Sequence, residues 1–246
     1  MFSAFHSPKH NKLKHKMKKL FVPVTILALA LGTTFTSCNE DDDMDDQNNI
    51  VELAQSNNDL SSLVDAVVRA GLVDALSDES ASYTVFAPTN AAFATFLADN
   101  GFNSVDDVPA DVLSNILLNH VLVGKVPSNQ VATGYANTLA TYANTTSNVD
   151  MFINTASGVV INGASTVQIV DQEASNGVVH VVDAVIGIPN VPTFAAANPD
   201  FSILVQALTR SDLTTNYVDF LSGDGPFTVF APNNGAFASL LTELNA

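Results

Sequence analysis

The chain has no tryptophan, a single cysteine and only nine lysine and arginine residues among its 246 positions. One cysteine cannot form an intramolecular disulfide, so a folded domain here must be stabilised by its apolar core. The few basic residues face 25 aspartates and glutamates, and the net charge is −16. Because nucleic acids and other polyanions are bound through lysine and arginine, this charge excludes nucleic acid as a partner.

Six of the nine basic residues are lysines in the first 19 positions, ahead of an apolar run from residue 20 to 31. At about 12 residues this run is too short to span a bilayer but suits the apolar core of a secretory signal. The next segment, Phe35-Thr36-Ser37-Cys38, resembles the lipobox of bacterial lipoproteins, whose cysteine is acylated and becomes the new N-terminus. We predict a lipoprotein signal peptide over residues 1–37 and lipidation of Cys38. The alternative is an ordinary signal peptide followed by an incidental cysteine.

Residues 38–49 are strongly acidic, with the run Glu40-Asp41-Asp42-Asp43 followed by Asp45-Asp46. Like charges in a block repel one another and stay solvated, so the segment is predicted to be an unfolded tether. It also resembles export signals that send lipoproteins to the outer face of some diderm bacteria. We therefore predict an outer-membrane, cell-surface location in which only the lipid contacts the membrane. Without residues 1–37, the chain contains three basic and 25 acidic residues, which gives a net charge of −22.

An 11-residue segment, residues 83–93, recurs as residues 227–237 at an offset of 144. Residues 60–67 recur as residues 201–208 at an offset of 141. A period of this length is the size of a domain and far longer than a solenoid repeat. We predict one complete module over residues 50–188 and a truncated second copy of it over residues 192–246. This partial module is not expected to dock on the first.

The complete module is predicted to be α+β, because its helical patterns come first and its strands later. Residues 50–78 read as helical, with Asp59 as N-cap, Gly71 as the left-handed end and an apolar face that includes Val68. Further helices are predicted over 91–99 and from Pro109 past Leu117. The predicted strands cover residues 83–87, 151–154, 158–161, 167–170 and 178–186, and the last is apolar on both faces, as in a central strand.

Three segments of the module resemble the conserved boxes of the fasciclin domain: residues 84–93 (TVFAPTNAAF), 117–124 (LLNHVLVG) and 176–185 (NGVVHVVDAV). They occur in the family's order and spacing over residues 50–188. The resemblance implies a compact β-sandwich-like wedge with helices packed on it. It also implies the function of extracellular adhesion proteins, in which this domain is found.

His120 has two interpretations. It lies among apolar residues, which indicates a buried imidazole hydrogen-bonded to backbone. The resemblance suggests a binding role instead, because a Tyr-His pair at this place is implicated in integrin engagement by animal relatives. Asn119 stands here in the tyrosine's place. We retain His120 and Asn119 as candidate binding residues.

No catalytic, metal or cofactor site is predicted. His120 and His180 are about 60 residues apart among apolar residues, whereas zinc needs three or four ligands, usually at short spacing. No nucleophile, base and orienting residue form a recognisable set. Asp183 is interpreted as a hydrogen-bond partner of backbone amides.

Two functions therefore remain. The first is a non-enzymatic adhesion or extracellular-matrix interaction module, whose partner is a surface or matrix protein or glycan. The second is an envelope lipoprotein that binds a glycan or small ligand, which usually needs exposed aromatic rings. Of the four tyrosines, Tyr135 and Tyr142 lie in a polar segment and form the candidate stacking pair.

Overall fold

The computed structural model describes residues 47–142, 145–223 and 225–245. The predicted signal peptide, Cys38 and the acidic run up to Asp46 lie outside the described residues. Within the described ranges, no helix is both long and apolar enough to cross a membrane.

The predicted helical region at residues 50–78 consists of three short helices: α1 (Ile50–Ser56), α2 (Ser61–Arg69) and α3 (Val73–Leu76). A 3-10 turn, Asn58–Leu60, separates the first two, and the Asn57 side chain accepts a hydrogen bond from the Asp59 amide. Asp59 is therefore inside this turn and is not the N-cap of α2. Gly71 has φ +67°, as its predicted role requires. Val68 does not belong to the buried face, since it is 58% exposed.

The other two predicted helices are confirmed within one or two residues at each bound. Helix α4 spans Asn90–Asp99, and the Thr89 side chain caps it by accepting from the Ala92 amide. Helix α5 spans Ala110–Leu118. A Thr before an apolar run supplies an acceptor for a free amide in the first turn of a helix, which explains why the start of α4 could be predicted. Helix α5 has no side-chain cap and begins directly after Pro109.

Seven strands form a closed barrel, which corrects the expected β-sandwich wedge while keeping the α+β class. Strand β1 pairs in parallel with β7, and all other neighbouring pairs are antiparallel. Two strands, at residues 121–123 and 134–141, were not predicted, because one is very short and the other lacks a sustained alternation of apolar and polar residues. The strands are β1 (Tyr83–Pro88), β2 (Val121–Val123), β3 (Gly134–Thr141), β4 (Asn148–Asn154), β5 (Val160–Ile161), β6 (Ser165–Ala174) and β7 (Gly177–Val182).

Strand β7 is central, as predicted, although it ends at Val182 and not at residue 186. All six of its residues are buried, and it pairs with β1 on one edge and β6 on the other. Its two faces belong to two different cores. Val179 and Val181 pack with the helices, whereas Val182 packs with Phe86 inside the barrel.

Four helices follow the barrel: α6 (Val191–Ala197), α7 (Ser202–Leu208), α8 (Tyr217–Ser222) and α9 (Asn234–Leu244). The segment Phe227–Ala231, which repeats the sequence pattern of β1 at an offset of 144, is not a strand here. In the first copy β1 pairs with β2 and β7. No strand is described beyond residue 182, so Phe227–Ala231 has no partner with which to form a ladder.

Helix α6 packs against the barrel, contrary to the expectation that the second copy stands apart. The ring centroids of Phe194 and Tyr135 are 5.6 Å apart in an edge-on arrangement. The Asn198 amide donates to the Tyr135 hydroxyl at 3.4 Å. A Cβ added to Gly163 would lie 3.1 Å from the Ala197 Cα, so this glycine permits the close approach of the helix.

Replacing Phe194 with alanine should lower the free energy of unfolding by about 1 kcal/mol. The change removes an edge-on aromatic pair and part of the apolar contact between α6 and the barrel. Chemical denaturation followed by tyrosine fluorescence measures the loss. Phe220→Ala is the matched control, because Phe220 is 60% exposed and its ring contacts Phe227, not the barrel. Equal effects of the two changes would contradict docking through Phe194.

Candidate functional site

His120 lies just after α5, fully buried beneath the segment that leaves β7. Its Nδ1 donates to the Ile116 carbonyl at 2.8 Å, and its Nε2 accepts from the Ile186 amide at 2.8 Å. These bonds require a neutral imidazole with its proton on Nδ1. Burial lowers the pKa of His120 to about 4, although the bond to Ile116 opposes this shift. The interpretation of His120 as a buried, backbone-bonded histidine is confirmed.

Asn119 is also buried and holds the same segment. Its Nδ2 donates to the carbonyls of Ile186 and Gly187 at 3.1 and 3.0 Å. Since both partners are acceptors, these contacts fix which side-chain atom is nitrogen. In this arrangement neither Asn119 nor His120 presents a side chain to a partner. Their role in binding stays a prediction. Their observed role is to hydrogen-bond the segment that follows β7, at Ile186 and Gly187, to the end of α5.

Tyr135 and Tyr142 do not form a stacking pair. Tyr135 lies near the start of β3 and Tyr142 just past its end, so they are roughly 20 Å apart along the strand. The Tyr135 ring is 51% exposed and contacts Phe152 and Phe194. Partial burial, with a smaller contribution from Asp150, raises the pKa of Tyr142. Tyr135 is therefore the candidate residue whose exposed side chain also packs against two other aromatic rings.

A polar network that sequence analysis missed surrounds His180. Its Nδ1 accepts from the Asp171 amide at 3.2 Å, and its Nε2 donates to the Val126 carbonyl at 3.1 Å. The Asp171 carboxylate accepts from the amide of Ser128 at 2.7 Å and from its hydroxyl. These two bonds lower the pKa of Asp171. Ser128 and Asp171 are separated by 43 residues, so no local spacing could have shown that they meet.

The network fastens the loop at residues 124–131 onto β6. Lys125 forms an ion pair with Glu173 next to it. Thr84 adds a third attachment, because its hydroxyl donates to the Gly124 carbonyl at 2.6 Å and accepts from the Val126 amide at 2.9 Å. Asp171 has φ +56°, a conformation that aspartate tolerates better than most residues. The loop is therefore held by charge, by side-chain hydrogen bonds and by a buried histidine.

Ser128, Asp171 and His180 are a catalytic set in composition but not in arrangement. A nucleophilic serine needs a base that accepts its proton, and that base is normally an imidazole. Here the Ser128 hydroxyl donates to the carboxylate, while backbone groups occupy both imidazole nitrogens. The three residues therefore have a structural role, which is to hold the loop at residues 124–131 against β6 and β7.

Asp183 also has a structural role. Its carboxylate accepts from the Thr166 amide at 2.7 Å and from the Gln168 side chain at 3.0 Å. This confirms its interpretation as a partner of backbone amides. Among the residues that the structure describes, no three His, Cys, Asp or Glu side chains are grouped to hold a metal ion.

A second kind of site lies in the C-terminal segment. Helices α6, α7 and α8, together with Val229, Phe230 and Ala231, line an apolar groove of about 580 Å³. Among the described residues that line it, none is charged. Phe230, at its rim, is 93% exposed. An open apolar surface of this size in a strongly acidic chain is a candidate interaction surface.

The chain was compared with known proteins. The fasciclin domain model matches residues 58–189 and again residues 199–246. Protein sll1483 of the cyanobacterium Synechocystis sp. is 42% identical over 137 residues, which cover 56% of this chain and 72% of that protein. The pig transforming growth factor-beta-induced protein ig-h3 is 32% identical over 164 residues, 66% of this chain but only 23% of ig-h3.

Among solved structures, this chain is similar to a FAS1 domain pair from the insect cell adhesion molecule fasciclin I. The identity is 22% and the TM-score 0.49, over 77% of this chain and 64% of the other. The matched residues 58–189 include the whole barrel with most of its helices, and they contain the three boxes recognised in the sequence. The chain belongs to the fasciclin domain family.

Proposed function

We propose that this protein is a non-enzymatic adhesion or extracellular-matrix interaction module, held at the outer surface of a bacterium by a lipid on Cys38. The observation that carries the proposal is the match of the barrel module to the fasciclin domain. Proteins that contain this domain include extracellular adhesion proteins. The site geometry agrees with a non-enzymatic role, because backbone groups occupy the ring nitrogens of both His120 and His180.

The anchoring part of the proposal rests on the N-terminal sequence. Six lysines, a short apolar run and Ser37-Cys38 follow one another as in a lipoprotein precursor. The acidic residues after Cys38 resemble lipoprotein export signals, which supports the proposed location at the outer surface. The copy of the first fasciclin box at residues 228–237 lies within the second match to the fasciclin domain, residues 199–246, and would belong to a second domain.

A second candidate function is an envelope lipoprotein that binds a glycan or small ligand. One observation favours it: the ring of Tyr135 is half exposed and held by contacts with Phe152 and Phe194. A fixed aromatic face suits stacking against a sugar ring. A single ring gives little affinity, however, since the structure places Tyr142 at the other end of β3.

Changing Cys38 to alanine should release the protein from the membrane or leave it as an uncleaved precursor. A single acyl chain binds a bilayer only reversibly, whereas the several chains of a bacterial lipoprotein hold firmly. Detergent phase partitioning of cells expressing the wild type and the variant measures this difference. Wild-type protein in the aqueous phase would contradict the anchor. Ser37→Ala is a suitable control, because alanine is also small and leaves the cysteine in place.

The adhesion function is tested with four strains of bacteria, which express the wild type, the Cys38→Ala variant, the Tyr135→Ala variant or no protein. Attachment to immobilised matrix proteins and to immobilised glycans is counted for each strain. Attachment to a protein surface that depends on display supports the adhesion proposal. Attachment to glycans that is lost in Tyr135→Ala supports the second candidate. Equal attachment of all four strains to every surface contradicts both proposals.

A further inference from the structure

An aromatic ring and a polar pair lie side by side on the outer face of the ribbon that β3 and β4 form. The register pairs Tyr135 with Phe152 and Asn137 with Asp150. Because alternate residues of a strand share a face, these four side chains lie on the same side of the ribbon. Met151, which lies between the two β4 residues, belongs to the core inside the barrel. The four side chains are therefore on the outside.

The Tyr135 ring is held by other rings while part of it stays accessible. Its centroid lies 5.0 Å from that of Phe152 and 5.6 Å from that of Phe194. The side chain is nevertheless 51% exposed. A ring that already has packing partners loses little conformational freedom when a ligand stacks on its exposed part, so less of the binding free energy is lost in ordering it.

The polar pair beside the ring can both donate and accept. The Asn137 amide donates to the Asp150 carboxylate, and this contact is exposed. It uses one amide hydrogen and one lone pair of the carboxylate, so the pair keeps a donor and several acceptors. Residues two apart on a strand are separated by about 7 Å. The polar pair is therefore within reach of a small ring-shaped molecule that stacks on Tyr135.

We propose that Tyr135, Asn137 and Asp150 form a binding subsite for a neutral hexopyranose unit of a glycan. The apolar C–H face of the sugar would stack on the Tyr135 ring. Two neighbouring hydroxyls would accept from the Asn137 amide and donate to the Asp150 carboxylate. A sugar ring matches this arrangement, because it combines an apolar face with adjacent groups that donate and accept. Acidic sugars are disfavoured by Asp150 and by the net charge of −16.

The inference rests on the second candidate function, glycan binding, and gives it a set of residues and a class of sugar. It supplies the polar contacts that a single ring lacks. All three residues lie within the first match to the fasciclin domain, residues 58–189. The subsite is thus part of the barrel module and includes no residue of the C-terminal segment.

The test titrates the purified, isotope-labelled full chain with methyl glucoside and with methyl galactoside and follows amide signals by NMR. At least one of them should cause saturable shifts of the Asn137 side-chain amide and the Tyr135 backbone amide. We expect a dissociation constant of about 1–10 mM, because a single exposed subsite makes few contacts. Methyl glucuronide, which adds one carboxylate to methyl glucoside, should bind several-fold more weakly at low ionic strength. No saturable shift with either neutral glycoside, or tighter binding of the glucuronide, overturns the proposal.

Variants of the chain locate the subsite. Tyr135→Leu should weaken binding by about fivefold or more, because it keeps the apolar contact but removes the ring, whereas Tyr135→Phe should retain binding. Asp150→Ala should weaken binding by a similar factor, because the hydroxyls lose their acceptor. Tyr217→Leu is the matched control, since Tyr217 is 39% exposed but belongs to α8. Unchanged amide signals away from β3 and β4 verify the fold of each variant.

Binding that survives both Tyr135→Leu and Asp150→Ala overturns the proposal, because the sugar then binds elsewhere. The cell experiment separates this failure from that of the glycan-binding function. Binding in solution without attachment of cells to glycans supports the subsite and contradicts the second candidate function. Attachment to glycans that depends on display but not on Tyr135 has the opposite meaning: it supports that function and overturns the subsite.

Discussion

Acidification from pH 7.5 to pH 4 should lower the free energy of unfolding by about 3 kcal/mol through His120 alone. In the folded chain its pKa is about 4, against an ordinary value of 6.5. Between these values the unfolded chain binds a proton that the folded chain does not. The stabilising contribution is therefore complete above pH 6.5 and is lost as the pH falls toward 4. Protonated Nε2 could no longer accept from the Ile186 amide.

The pH dependence of urea denaturation for the wild type and for His120→Gln isolates this contribution. Glutamine does not titrate, so the variant should be less stable at pH 7.5 but should lose about 3 kcal/mol less on acidification. Carboxylates titrate in the same range in both proteins, and the difference between the two curves removes them. An NMR titration of the imidazole C2 protons gives the folded pKa directly. A His120 signal that titrates near pH 6.5 would contradict the prediction.

The helical part of the fold could be predicted because its signals are local. Thr89 caps α4 from within the same turn, and Gly71 and Gly101 take the left-handed conformation that ends a helix. The central strand was also recognisable, since an apolar run on both faces needs cover on both sides. The division of residues 50–78 into three helices was not predicted, because the asparagine that starts the 3-10 turn resembles any polar surface residue.

The barrel and the internal networks could not be predicted, because they depend on contacts between distant residues. Strand β3 mixes small, polar and apolar residues without regular alternation, so only its pairing with β2 and β4 identifies it. Asp171 and Ser128 are brought together by closure of the barrel. In the candidate site, too, only the local features could be predicted. The burial of His120 could be inferred from its apolar neighbours. The hydrogen bond from the Ile186 amide to its Nε2 could not, because it joins residues 66 positions apart.

Changing Gly177 to alanine should lower the free energy of unfolding by about 3 kcal/mol. Gly177 begins β7 and pairs with Tyr83 of β1, in the one parallel pair of the barrel. A Cβ at this position would lie 2.2 Å from the Tyr83 carbonyl oxygen and 2.9 Å from the Ile50 side chain. The side chain of Ile50 can rotate, but the carbonyl belongs to the backbone and can move only if β1 shifts away from β7.

Such a shift would disturb both cores, because the two faces of β7 pack in different ones. Gly187→Ala is the matched control: a Cβ there meets no atom within 4 Å, and φ is not in the left-handed region. Alanine at that site reduces the freedom of the unfolded chain, so the control should be neutral or slightly more stable. Thermal and urea denaturation of the two variants measures the contrast. If Gly177→Ala were as stable as Gly187→Ala, the close approach of β1 to β7 would not be required for closure of the barrel.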